Sequence, residues 1–172
     1  MGKSGRKWES FSTFAAKVIP SGKTMANFIG EYNGKVDDKG RLVFPSSLKS
    51  LASTDVPLRL VVKKALYSPC LELFAYEEWE EESKKVRGRL HNPFTRQEAA
   101  FWRAYMGNRC VVEPDKTGRI LISKDLLDQI GIDKEVIFLG CDFKIELWDK
   151  ETYQSGRMSD EDFEHLAEEL LS

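Results

Sequence analysis

Apolar residues gather in four short runs along the chain. Leu58-Arg59-Leu60-Val61-Val62 and Cys70-Leu71-Glu72-Leu73-Phe74 make one pair, and Glu135-Val136-Ile137-Phe138-Leu139 and Lys144-Ile145-Glu146-Leu147-Trp148 the other. Their short length and alternation predict β-strands. Ahead of each pair stand two more strands around a turn. Gly30 to Val36, a turn at Asp37 to Gly40, and Arg41 to Phe44 form the first set, with Pro45 ending the strand because it has no N–H to donate. Arg109 to Pro114, a turn at Asp115 to Gly118, and Arg119 to Ile122 form the second. Each set reads as a tight hairpin, with glycine supplying the positive φ.

Helical patterns fill the remainder. Ser46 to Ala52 predicts a short helix capped by Ser46, and Ser123 caps another that carries Leu126, Leu127 and Ile130 before Gly131. Glu77 to Leu90 is a charged helix with Trp79 near its start. Thr95 to Met106, after the His91-Asn92-Pro93 break, presents an apolar face of Ala99, Ala100, Phe101, Trp102 and Tyr105. Phe163, Leu166, Leu170 and Leu171 recur at helical spacing on an acidic background. They predict a solvated terminal helix laid on a neighbouring element; the sharper reading is a helix that docks another subunit.

These elements occur twice in one order. Asp37-Asp38-Lys39-Gly40-Arg41-Leu42-Val43-Phe44 is answered by Asp115-Lys116-Thr117-Gly118-Arg119-Ile120-Leu121-Ile122, offset by 115 − 37 = 78 residues. Leu71-Glu72-Leu73-Phe74 is answered by Ile145-Glu146-Leu147-Trp148 at 145 − 71 = 74, and at that offset Trp79 meets Tyr153. The chain is an internal duplication. It divides into a basic, flexible leader over 1–27, a first repeat over 28–90, a linker helix over 91–107, a second repeat over 108–153 and an acidic tail helix over 154–172. The leader could also be sequence upstream of a natural start at Met25.

Composition narrows the chemistry. Hydrophobic residues make up 41% of the 172, enough to build a core. The formal net charge is −2, so any nucleic-acid contact must come from local cations rather than from the global field. No apolar run approaches membrane-spanning length. Cys70, Cys110 and Cys141 lack metal-knuckle spacing and read as buried or half-buried thiols. No phosphate loop, nucleophile elbow or His-Glu-x-x-His motif is present. Asp37 and Asp38 could in principle hold a divalent cation, but Lys116 stands opposite Asp38 in the second copy, so no metal pair is duplicated. No cofactor and no small-molecule substrate are indicated.

That leaves Lys39, Arg41, Lys116 and Arg119. An arginine fork matches phosphate oxygens or the guanine edge, and Asp37 and Asp115, with Gly40 and Gly118, could shape the turns and orient the arginines. The bland alternative is a surface turn with an ion pair worth little. A structural turn keeps its Asp and Gly when duplicated but has no need of a cation at the same place twice. On the residues alone the two readings stand level.

The Gly30-Glu31-Tyr32 opening, the twin Asp-x-x-Gly-Arg phrases, the Cys70 to Phe74 strand with Trp79, and Ile145 to Trp148 together resemble the MraZ family, from about Phe28 to Tyr153. Ser123 stands where the second copy often has proline, and the leader and acidic tail fall outside the resemblance. The resemblance implies an α+β fold of duplicated AbrB-like swapped-hairpin β-barrel halves with flanking short helices, an internal pseudo-dimer. It implies a cytoplasmic, nucleoid-associated regulator at the head of the division and cell wall gene cluster. This would be a ring-shaped homo-oligomer on double-stranded DNA, binding G-rich direct repeats upstream of its own operon. Carried over by position, the DNA contacts fall on Lys39, Arg41, Lys116 and Arg119. The rivals are an oligomeric protein-interaction scaffold without DNA specificity and an enzyme using Asp37 and Asp38.

Overall fold

The computed structural model describes residues 26–52 and 56–172; the expected leader lies almost wholly outside them. In chain order the strands are β1 (Phe28–Lys35), β2 (Arg41–Val43), β3 (Leu60–Lys64), β4 (Leu71–Ala75), β5 (Cys110–Val112), β6 (Arg119–Leu121), β7 (Glu135–Asp142) and β8 (Lys144–Asp149). The helices are α1 (Ser46–Leu51), α2 (Tyr76–Arg87), α3 (Arg96–Met106), α4 (Lys124–Gln129), α5 (Lys150–Ser155) and α6 (Asp160–Leu171). The class is α+β, with antiparallel pairing throughout.

Six strands form one sheet in the order β1-β7-β8-β4-β3-β5, and β2 pairs with β6 in a separate two-stranded ribbon. Among the described residues the strands therefore make an open sheet and a ribbon, not a closed barrel. The order is symmetric under exchange of the repeats. Replacing β1, β2, β3 and β4 by β5, β6, β7 and β8 returns the same order read backwards. Only β3–β4 and β7–β8 are hairpins within a repeat. The pairings β1–β7, β3–β5, β2–β6 and β4–β8 all join one repeat to the other. A pseudo-two-fold axis follows. It passes between Leu42 and Ile120 in the ribbon and between Glu72 and Glu146 in the sheet, since each of these pairs joins a residue to its own repeat equivalent.

The pairing corrects the expected local hairpins. The arms of the first turn share one isolated bridge, Val36 to Leu42, while all three residues of β2 pair with β6. Each turn stays tight, but its two arms part, because the partner strand offered by the other repeat completes a shared core. That core draws on both repeats: Phe28, Leu42, Phe44, Leu48, Leu60, Leu71, Ile120, Ile122, Leu126, Val136, Phe138 and Leu147 are buried in one cluster. Burial of this kind is worth about 1.5–3 kcal/mol per large side chain, so the repeats hold each other folded.

β4 is buried along its whole length. One face meets the core; on the other, Phe74 packs with Val61 and Trp79 under Tyr76 and Tyr105. Thr95 caps α3 in a full capping box with Glu98, which anchors that cover. Two expectations on helices need correction. Ser46 is the first residue of α1, whose cap is Pro45 with no side-chain bond. A proline with φ near −58° presets the helix entry, so no hydroxyl cap is needed. Ser123 does cap α4, accepting from the Leu126 amide. Among the described residues no neighbour covers the tail helix α6: none of its residues is buried, and Phe163, Leu170 and Leu171 are exposed.

Candidate nucleic-acid interface

Each turn is built around one carboxylate. Asp37 Oδ1 accepts from the backbone amides of Lys39 and Arg41, both at 2.9 Å, and Gly40 N donates to the Asp37 carbonyl at 3.0 Å. In the second copy Asp115 Oδ1 accepts from the amides of Thr117 at 2.8 Å and Arg119 at 3.0 Å, and Gly118 N donates to the Asp115 carbonyl. These amide bonds favour the charged carboxylate. The Arg41 amide, with the Arg41 side chain and the Lys39 amide, holds Asp37 down to about 2. The Arg119 amide does most to lower Asp115, with Thr117 adding to it.

Gly40 and Gly118 take φ of 84° and 78°, a region side chains avoid. They also lock the ribbon. Ile122 N donates to the Gly40 carbonyl at 3.0 Å, and Phe44 N to the Gly118 carbonyl at 2.8 Å. Each turn thus closes against the far end of the other repeat's strand. A Cβ at Gly40 would sit 2.5 Å from the Ile122 carbonyl oxygen; one at Gly118 would meet nothing within 4 Å.

The two arginines share the outer face of the ribbon. Arg41 lies opposite Leu121 and Val43 opposite Arg119, while Leu42 and Ile120 point into the core. The arginines are not equivalent. Arg41 Nε donates to Asp37 Oδ2 at 2.7 Å, which ties the guanidinium to its own turn through Nε. At the second turn the Thr117 hydroxyl bonds the Asp115 carboxylate at 2.7 Å instead, and among the described residues no ion pair holds the Arg119 guanidinium. Lys39 and Lys116 are exposed at the two turns, one residue out of register with each other. The Asp37 oxygens are engaged by amides and by Arg41, and the described residues contain no cluster of His, Cys, Asp and Glu able to hold a metal. Burial pushes the Cys70 thiol up to about 12, which makes it a packing residue rather than a nucleophile.

The residue reading brought out the four cations but passed over Val43 and Leu121. The signal was there: Arg41-Leu42-Val43 and Arg119-Ile120-Leu121 carry the same out-in-out period.

Comparisons with known proteins put this arrangement among transcriptional regulators, not enzymes. The family model described as "MraZ protein, putative antitoxin-like" matches residues 27–100 and 106–172, one segment for each repeat. It reaches through the tail helix, beyond the Tyr153 limit of the resemblance. A protein of Christiangramia forsetii named "Transcriptional regulator MraZ" is 40% identical over 148 residues, covering 86% of this chain and 94% of the relative. Relatives of the same name from Bacteroides thetaiotaomicron and Moorella thermoacetica are 33% and 32% identical, covering 86% and 84% of this chain and 94% and 96% of the relatives. The chain belongs to the MraZ family. Among the described residues no helix is long and apolar enough to cross a membrane.

Proposed function

We propose that the chain is a sequence-specific DNA-binding regulator that sets its ribbon into the major groove. The observation that carries this reading is the common outer face of Arg41 and Arg119, bounded by the turns that hold Lys39 and Lys116. A major groove about 12 Å wide admits a two-stranded β-ribbon. One bidentate arginine–guanine pair gives about 1–3 kcal/mol of discrimination, and the lysines position the ribbon on phosphates. The family name of the relatives supports the same reading.

The resemblance adds the finer assignments: G-rich direct repeats upstream of its own operon in the division and cell wall cluster, and a cytoplasmic, nucleoid-associated ring of subunits. The exchanged pairings β1–β7, β2–β6 and β3–β5 support the AbrB-like swapped-hairpin pseudo-dimer. The exposed stripe Phe163, Leu166, Leu170 supports assembly with further copies. One ribbon touches few bases; several joined ribbons on several repeats raise avidity by about 10²–10⁴.

The test is binding of the purified full chain to the duplex upstream of its own gene, with the repeats intact and scrambled. Tighter binding to the intact repeats is expected. Equal binding to both refutes sequence specificity. A protein that oligomerises yet ignores DNA at low salt is the scaffold, the reading that the stripe on α6 would otherwise favour.

A further inference from the structure

The outer face of the ribbon carries two apolar side chains that a purely cationic reading of DNA leaves without a role. Val43 and Leu121 are 62% and 58% exposed, while Leu42 and Ile120 behind them are 1% and 0% exposed. Leu121 lies directly across from Arg41, and Val43 across from Arg119. A single exposed apolar side chain needs no explanation. Here the repeats set the same arginine-and-apolar pair twice about the pseudo-two-fold axis, and each apolar group sits within the cationic face.

We propose that Val43 and Leu121 read the C5-methyl groups of thymines beside the guanines met by Arg119 and Arg41. This deepens the DNA-binding reading and rests on it. In the major groove thymine alone presents a methyl group, and it is recognised by apolar contact. Directly opposed residues on a β-ribbon are about 4.5–5.5 Å apart, more than one but less than two of the steps of about 3.4 Å between successive bases on a strand. An arginine fork seated on one base therefore leaves its cross-strand neighbour over the adjoining step. Val43 suits this task because its branched side chain loses little rotamer freedom on contact. Arg41, held through Nε by Asp37, sets the register for Leu121. Arg119, without such a tie, is set by the groove.

The test replaces the thymines of the upstream duplex one at a time by deoxyuridine, which removes only the methyl. The full-length protein should lose affinity about three- to five-fold at thymines next to guanines and nowhere else. Val43→Ser and Leu121→Ser should each weaken binding to the unmodified duplex by a similar factor and become indifferent to uridine at one set of positions. Unchanged affinity of the wild-type chain for every uridine duplex overturns the proposal while leaving DNA binding intact. So do undiminished uridine effects in both variants. A drop in oligomer mass for the two variants by light scattering, with uridine silent, also overturns it and makes the patch a subunit contact. Failure of the wild-type chain to bind the unmodified duplex at low salt removes both this proposal and the reading beneath it. The uridine series uses the wild-type chain, so it stands even if a variant fails to fold.

Discussion

Glu72 lies directly opposite Glu146 across the β4–β8 pairing, two like charges on the pseudo-two-fold axis. Two lysines make the arrangement tolerable. Lys63 and Lys144 both pair with Glu72, and Lys144 also reaches Glu146 at 3.2 Å, whose other oxygen accepts from Trp148 Nε1 at 2.9 Å. Burial alone would raise the Glu72 carboxyl, but the bonds from Lys144 and Lys63 outweigh it and bring it below the ordinary value. The symmetric pair is thus served by an asymmetric lysine, since the repeat equivalent of Lys144 is the buried Cys70.

Lys144→Ala should therefore destabilise the chain by about 1–3 kcal/mol, because it leaves a buried carboxylate with one partner and unshields a like-charge pair. Chemical denaturation measures this. A change under about 0.5 kcal/mol would show the two carboxylates to be solvated rather than held by Lys144. The pH dependence has a definite sign. Glu72 is depressed in the folded state, so its contribution is complete above the ordinary value near 4.5 and is lost as pH falls through its lower folded value. The Lys144→Ala chain should lose less stability over that acid range than the wild type.

The turn carboxylates should titrate late. Asp37 should keep its charge down to pH about 2, and Asp115 should also titrate below the ordinary carboxylate value of 3.8, as read by carboxyl NMR shifts. Both values are depressed by folding, so both turns tighten above the ordinary range and loosen as pH falls through the folded values. An Asp37 midpoint near 3.8 would mean that the turn bonds are not formed in solution.

Gly40→Ala should cost more than Gly118→Ala. Both positions carry a positive φ, which costs about 1–2 kcal/mol for a side chain. At Gly40 the added Cβ also meets the Ile122 carbonyl at 2.5 Å, and the bond from Ile122 N to Gly40 must give way. Thermal midpoints compare the two directly, and equal shifts would contradict the close approach at Gly40.

Arg41→Ala and Arg119→Ala should each weaken binding to the upstream duplex by about 1–3 kcal/mol. The slope of log K against log salt should flatten by about 0.9 for each phosphate that is no longer neutralised. Asp37→Asn should weaken binding through Arg41 more than Asp115→Asn does through Arg119, since only Arg41 is oriented by its carboxylate. Unchanged affinity and slope in both arginine variants would end the assignment of the ribbon to DNA.

Phe163→Ser combined with Leu170→Ser should shift stability within about 0.5 kcal/mol, because both side chains are exposed in the single chain. The same change should lower the oligomer mass by light scattering. Full retention of the mass would move subunit contacts away from α6.

Strands, short helices and the duplication were legible in the sequence because they depend on local features. The alternation in Leu71-Glu72-Leu73-Phe74 and Ile145-Glu146-Leu147-Trp148 sets which side chains share a face. The Asp-to-Gly spacing demands a turn in each copy, whatever surrounds it. The family too was carried by these local phrases. Alternation does not choose a strand's neighbour, however. The backbone of β2 could pair as well with β1 as with β6, and only a core assembled from both repeats selects β6. That choice brings Arg41, Val43, Arg119 and Leu121 onto one face; in the sequence they belong to two surface turns 78 positions apart (115 − 37). The tail shows the same limit. Its apolar spacing specifies a helix, but where that helix packs depends on the elements before it. The twelve residues of α2 lead to α3, which returns over Trp79, while the six of α5 lead to α6, none of whose residues is buried among the described residues. Local periods are set by bonds between near neighbours and can be read from the chain. Partner choice is set by burial summed over the whole fold, and only the tertiary structure decides it.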